Sequence, residues 1–222
     1  MSRPIKGLMI KDLRLVFSQM KLFFVIMAVW GIFMAVNIEQ FYFVPAYTAV
    51  FCTFISLSTY SYDEFENGTA YLFTLPIRRR DYVRAKYLLG ILFMMVPTIV
   101  ITFAACVAGM VTKGEAAVWE YFAATVTSIG IALVLLAVEN PLYIRFGQEK
   151  SRIFKLVSFG IIGGGLGAIG SLVGESADGM SVISSILGLD LWMLMLLMAA
   201  VSAVLVCVSY CISCAMIEKK QY

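Results

Sequence analysis

Long apolar runs almost free of charge, separated by short charged segments, dominate this sequence and leave it few ways to fold. They fall at roughly 22–38, 42–62, 87–111, 118–140, 154–174 and 187–215. Each is near or above the roughly 17–25 residues that carry a helix across a ~30 Å hydrocarbon core. The chain is 61% hydrophobic, against about 45–50% in a soluble domain, and its mean hydropathy is +0.91. The reading is a single all-α integral membrane domain over 1–222 with six transmembrane helices. The first run follows charged residues but no small-residue cleavage site follows it, so it is expected to be a retained helix and not a signal peptide.

Residues 1–20 precede the first run with a different pattern. Ile5, Leu8, Met9, Leu13, Val16, Phe17 and Met20 recur at helical spacing, with Lys11, Arg14 and Ser18 opposite. An amphipathic helix with a basic polar face suits the membrane surface, so an N-terminal interfacial helix is expected ahead of the first span.

Orientation follows from the basic residues, which gather on the cytoplasmic side of membrane proteins. With the N-terminus inside, the cytoplasm receives Arg3, Lys6, Lys11, Arg14 and Lys21, then Arg78, Arg79, Arg80, Arg84 and Lys86. It also receives Arg145, Lys150, Arg152 and Lys155, and finally Lys219 and Lys220. Of the seventeen lysines and arginines only Lys113 is left outside. Both termini are therefore expected in the cytoplasm. The links at 39–41 and 112–117 are too short to hold a domain and make neighbouring spans antiparallel.

Several function classes drop out. Histidine is absent, which removes imidazole ligands, triads and imidazole proton relays. Cys52, Cys106, Cys207, Cys211 and Cys214 lie inside apolar runs without metal-ligand spacing and read as small packing residues. A formal charge of +3 makes no case for nucleic acid. No G-x-x-x-x-G-K-[ST] phosphate cradle is present, and the glycine-rich run from Gly160 to Gly170 sits in a span. Gly160, Gly163, Gly164, Gly167 and Gly170 instead give small-x-x-x-small spacings, which allow close helix approach, a dimer seam or a hinge. Trp30, Phe41, Tyr42, Phe43 and Trp119, near span ends, read as aromatic-belt residues.

The largest segment outside the membrane, 63–86, carries most of the information. Asp63, Glu64 and Glu66 lead through Gly68 into a short apolar-aromatic helix from Thr69 to Leu75. Pro76 ends that helix, since proline cannot continue the hydrogen-bond ladder and restricts the residue before it. The basic run Arg78-Arg79-Arg80 follows. A short helix is expected to project between two spans with Tyr71, Leu72 and Phe73 exposed to a partner, apolar anchors seating in a groove and flanking charges fixing register. Taken alone, the basic run reads rather as an anchor on anionic lipid.

Glu66-Asn67-Gly68-Thr69, Leu75-Pro76-Ile77-Arg78 and Tyr82-Val83-Arg84-Ala85-Lys86 together resemble the cytoplasmic loop of bacterial type-2 ATP-binding-cassette (ABC-2) exporter permeases. The stretch Pro141 to Arg152 is similar to the segment after the fourth span in the small, six-span branch that includes peptide-export permeases. Arg78 stands where a serine is common in such loops. The resemblance implies a permease subunit without its own motor, paired with a second permease copy, identical or related. ATP and Mg would be bound by a separate cytoplasmic ATPase and no cofactor by this chain. It implies an ATPase-coupling interface of Glu66, Gly68, Thr69, Tyr71, Leu72, Phe73, Thr74, Leu75, Pro76, Arg78 and Arg79. A second cytoplasmic contact would use Arg145, Gly147, Glu149, Lys150 and Arg152.

Glu139-Asn140-Pro141 ends the fourth span with an ionisable residue. Buried acids in membranes often mark function, so Glu139 and Asn140 read either as interfacial anchors or as polar contacts in a translocation path. The expected function is export of an amphipathic or hydrophobic substrate, a membrane-active peptide by preference, from a bacterial plasma membrane, with no enzymatic activity in this chain. The alternatives are a standalone secondary carrier, an intramembrane enzyme, or a non-transporting immunity or sensor subunit. The first two need several ionisable residues or a nucleophile with its base at depth, and the sequence offers only Glu139.

Overall fold

The computed structural model describes residues 3–19, 21, 25–26, 28–29, 43–64, 68–72, 74, 77–112, 115–172 and 191–219, all of them helical apart from 74, 77 and 78. Helix α1 is Arg3–Gln19, α2 Phe43–Glu64, α3 Gly68–Leu72, α4 Arg79–Thr112, α5 Glu115–Leu172 and α6 Leu191–Lys219. Among the described residues, three stretches are long and apolar enough to cross a membrane: Arg79–Ala104, Tyr121–Gly147 and Met195–Lys219. They account for the runs expected at 87–111, 118–140 and 187–215. The run at 22–38 lies outside the described residues except for helical positions at 25–26 and 28–29, and the run at 154–174 is helical as far as 172.

Helix α2 matches the run expected at 42–62 but is less apolar than the other three, for a structural reason. It packs against α1, α3, α4 and α5, so much of its surface meets protein and polar side chains are tolerated there. Hydroxyls of Thr48, Thr53, Ser58 and Thr59 bond to carbonyls three or four residues earlier in α2 itself, which hides their polarity. By contrast α4 and α6 turn Leu92, Val96, Phe103, Leu196, Val201 and Val204 outward. Such faces are at home in lipid, where outward apolar side chains cost nothing.

Packing tightens where small residues allow it. A Cβ on Gly90 of α4 would lie 2.4 Å from Leu136 Cδ1 of α5 and 3.4 Å from Ser56 Oγ of α2, so glycine is what lets three helices meet there. Gly160 is different: it is exposed and faces open space, so the intramolecular close approach expected of the glycine-rich run is not made at that position.

Two boundaries depart from the sequence reading. Helix α4 begins at Arg79, well before the apolar run starts. More notably, α5 does not end at Pro141 but continues to Gly147, whose φ of 72° and ψ of −175° break it. Proline at 141 cannot donate to the carbonyl of Ala137, four residues back, and that vacancy normally ends or kinks a helix. Here the Ser209 hydroxyl of α6 donates to the Ala137 oxygen instead. A neighbouring helix supplies the missing donor, as proline within apolar surroundings requires. Tyr87 of α4 holds that serine in place, its hydroxyl 2.6 Å from Ser209 Oγ and 2.9 Å from Ser213 Oγ.

Candidate functional site

The basic end of the bundle is where both stretches singled out in the sequence arrive. Helix α1 docks there through Ile5, Leu8, Asp12 and Val16, all buried, which recur every three or four residues along one stripe. Asp12 is an acid on an apolar stripe, a signal readable in the sequence but overlooked. Lys11, expected on the polar face, is only part-exposed, whereas Phe17, expected on the apolar face, is 59% exposed and does not join the buried stripe.

Asp12 is matched by Lys86 of α4, whose ammonium lies 2.9 Å from Asp12 Oδ2 and 2.6 Å from Asp63 Oδ2 of α2. Its third hydrogen goes to Thr59 Oγ1 at 2.9 Å. An ammonium has three donors, and all three are used. The Nζ also sits 5.0 Å from the Tyr60 ring centre and 5.5 Å from that of Tyr82, within cation–π range. The Tyr82 hydroxyl donates to Asp63 Oδ2 at 3.0 Å. Lys11 closes the figure, donating to Asp63 Oδ1 and lying 3.2 Å from Asp12 Oδ1. Two acids and two lysines thus alternate around a neutral ring.

Burial by itself would raise the Asp63 carboxyl, but the ammonium groups of Lys86 and then Lys11, with their hydrogen bonds, hold it below the ordinary carboxylate range. Burial would lower Lys11, but Asp63 and Asp12 outweigh it and hold the ammonium above the ordinary lysine range. Asp63 and Lys11 thus each favour the charged form of the other.

A tyrosine stack extends this centre into α5. Tyr60 lies against Tyr143 with ring centres 5.4 Å apart, and its hydroxyl donates to Asn140 Oδ1 at 2.7 Å. Asn140 Nδ2 donates to the Leu136 carbonyl at 2.9 Å. Glu139 has no exposed surface, so it is not an anchor among lipid headgroups. Both residues are enclosed by the bundle.

The short helix α3 sits just beyond the ring. It runs Gly68–Leu72, shorter than expected, and closes in a turn in which Thr74 N and Thr74 Oγ1 both donate to the Tyr71 carbonyl. A Cβ on Gly68 would approach the Asp63 carbonyl oxygen to 2.8 Å, so the start of α3 can lie this close to the end of α2 only with glycine. Tyr71 is 73% exposed, but Leu72 is 8% exposed and joins the core with Ile5, Tyr82 and Ile144. The expectation that both face outward is corrected: Leu72 seats α3 and Tyr71 is presented. The backbone of Thr69 lies in α3, while its side chain and all of Glu66, Phe73, Leu75 and Pro76 lie outside the described residues.

On the far side of the segment, Arg78 is exposed and its carbonyl accepts from Asp81 N at 2.9 Å. Arg79 Nη1 donates to the carbonyls of Ile217 and Glu218 at 3.1 and 3.3 Å. These are among the last carbonyls of α6, which lack helical donors and favour a cation. Arg80 bonds Glu218 at 2.5 Å and Arg84 bonds the Tyr210 hydroxyl at 2.8 Å.

The second stretch arrives at the same place. A Cβ on Gly147 would lie 3.2 Å from both Glu64 carboxylate oxygens, which puts the break in α5 against the end of α2. Arg145 is exposed, its guanidinium 5.3 Å from the Phe146 ring centre. Glu149, Lys150 and Arg152 follow on helical backbone with side chains outside the described residues.

No curated protein and no solved structure matches the chain. A family model described as ABC-2 family transporter protein matches residues 7–218. That match takes in the charged ring, both converging stretches and the three long apolar helices, and the chain is accordingly a membrane protein of the ABC-2 transporter family.

Proposed function

We propose that this chain is the permease subunit of an ATP-driven exporter in a bacterial plasma membrane. Six helices cross the bilayer, α1 lies at its inner surface, and both termini are cytoplasmic. A separate ATP-binding-cassette subunit binds ATP and Mg and docks at the basic end. Its contacts there are α3, acting as a coupling helix with Tyr71 foremost, together with Arg78, Arg79 and the second stretch from Arg145 to Arg152. A second permease copy, identical or related, completes the pathway. The cargo is amphipathic or hydrophobic, which suits the scarcity of charge in the apolar runs, with a membrane-active peptide favoured by the resemblance to peptide-export permeases, and it moves by alternating access.

One observation carries this reading: Tyr71 is 73% exposed on a segment secured at both ends, by Asp63 on one side and Arg79 on the other. An exposed aromatic on a fixed support is the kind of anchor that docks into a groove. The test is affinity purification of the tagged chain with an ATP-binding-cassette subunit. Tyr71→Asp combined with Phe73→Asp is expected to abolish the association, and undiminished binding with full ATPase stimulation overturns the assignment. Labelling of Thr74→Cys from the outer face of intact cells would overturn the orientation, and transport by the purified chain without ATP would return the carrier alternative.

A further inference from the structure

The 63–86 segment begins and ends on residues that touch each other. Asp63 Oδ2 and Lys86 Nζ are 2.6 Å apart, so the segment is pinched shut at its neck. Lys11 and Asp12 of α1 complete the ring around that pinch. We infer that the ring positions the segment and α1 as one rigid lever, making α1 a driven part of the transport cycle. This rests on the reading of 63–86 as the docking segment.

Three features point this way. First, Asp12, Lys86 and Asp63 are buried, and a buried ionic cluster is a poor source of stability, since apolar residues of the same volume often do as well. What such a cluster supplies is directional constraint. Second, the other buried side chains of α1, Ile5, Leu8 and Val16, make contacts that tolerate sliding and rotation, because apolar attraction is non-directional. Lys11 and Asp12 are what fix its register. Third, the ring is closed: Lys86 uses all its donors, Asp63 holds both lysines and the Tyr82 hydroxyl, and Asp12 Oδ1 meets Lys11 as an ion pair at 3.2 Å without a hydrogen bond. Charge pairs that join three helices in this way restrain their relative positions. Leu72 of α3 also shares a core with Ile5 and Leu8 of α1, so a push on α3 reaches α1 through packed side chains.

Two engineered rings test this. The neutral ring, Lys11→Met, Asp12→Asn, Asp63→Asn and Lys86→Met, removes every charge and leaves none buried alone. The inverted ring, Lys11→Asp, Asp12→Lys, Asp63→Lys and Lys86→Asp, restores the alternation. In the purified full chain, hydrogen exchange read by mass spectrometry is expected to speed up at least about tenfold in α1 and in 63–86 together for the neutral ring, and to recover in the inverted ring. Single Lys11→Met, which opens only the part-exposed corner, guards against a neutral ring that fails to fold and is expected to speed α1 more than 63–86. Unchanged exchange in α1 for either neutralised form overturns the inference. In proteoliposomes with the ATPase subunit, the neutral ring is expected to keep ATPase binding while transport per ATP hydrolysed falls. An unchanged ratio overturns the lever and leaves the docking site standing. A wild-type chain that binds no ATPase brings down the docking reading, while hydrogen exchange still judges the ring.

Discussion

The Ser209 hydroxyl donates to the Ala137 carbonyl, the acceptor that Pro141 deprives of its helical partner. Replacing Ser209 by alanine leaves that buried oxygen without a donor, which costs about 1–3 kcal/mol. Ser213→Ala removes one of two partners of the Tyr87 hydroxyl and leaves the Ser209 bond in place, so its expected cost is smaller. Thermal unfolding of both variants in detergent, followed by helical circular dichroism, checks the order. Equal effects would mean that Ser209 does not support the proline.

Ion pairs in this molecule are expected to differ sharply in worth. Lys86→Ala strands Asp12 and Asp63 as neighbouring buried carboxylates, at a cost of about 3–5 kcal/mol. Arg80 and Glu218 are 63% and 45% exposed, so Arg80→Ala is expected to change stability by less than ~1 kcal/mol. Urea or thermal midpoints of the two variants make the comparison.

Much of this was legible and some was not. Apolar run length announced α2, α4 and α6, because the bilayer demands a minimum crossing length. Hydropathy marks where lipid begins and not where a helix begins, so α4 starts at Arg79, eight positions before the run at 87. Pro141 carries a local stop signal that Ser209, distant in sequence, overrides. Leu72 looks like an exposed anchor until the core that receives it is known. The ring had a visible clue, Asp12 on the stripe of Ile5, Leu8 and Val16, but its pairing with Lys86 is a tertiary fact that spacing cannot disclose.

Acidity and alkalinity should act on the ring from opposite sides. The Asp63 carboxyl is held low, so its contribution is present above the unfolded value of about 3.9 and is lost as pH falls through the lower folded value. Lys11 is held high, so its contribution is full below about 10.4 and is lost as pH rises through the higher folded value. Between those limits neither group gives stability a slope. Midpoints measured for wild type and Asp63→Asn from pH 7 downward should stay a constant distance apart until about 3.9 and draw together only below it. Parallel curves would show that Asp63 does not titrate with folding.

Tyr71 separates docking from stability. Being mostly exposed, it can be changed to aspartate within about 0.5 kcal/mol of wild-type stability, so loss of ATPase binding in that variant would not be unfolding in disguise. A collapse in melting temperature would instead assign Tyr71 to the core.

Gly147→Ala places a methyl group where backbone of this hand is essentially reserved for glycine, and against the Glu64 carboxylate as well. The expected loss is about 1–3 kcal/mol, read as a lower melting temperature. The reason for so constrained a residue is geometric. As one straight rod, the 58 residues from Glu115 to Leu172 would measure roughly 87 Å, close to three times the ~30 Å oily layer. No bilayer has room for such a pole. The absence of a single side chain divides it into two lengths that a membrane can hold.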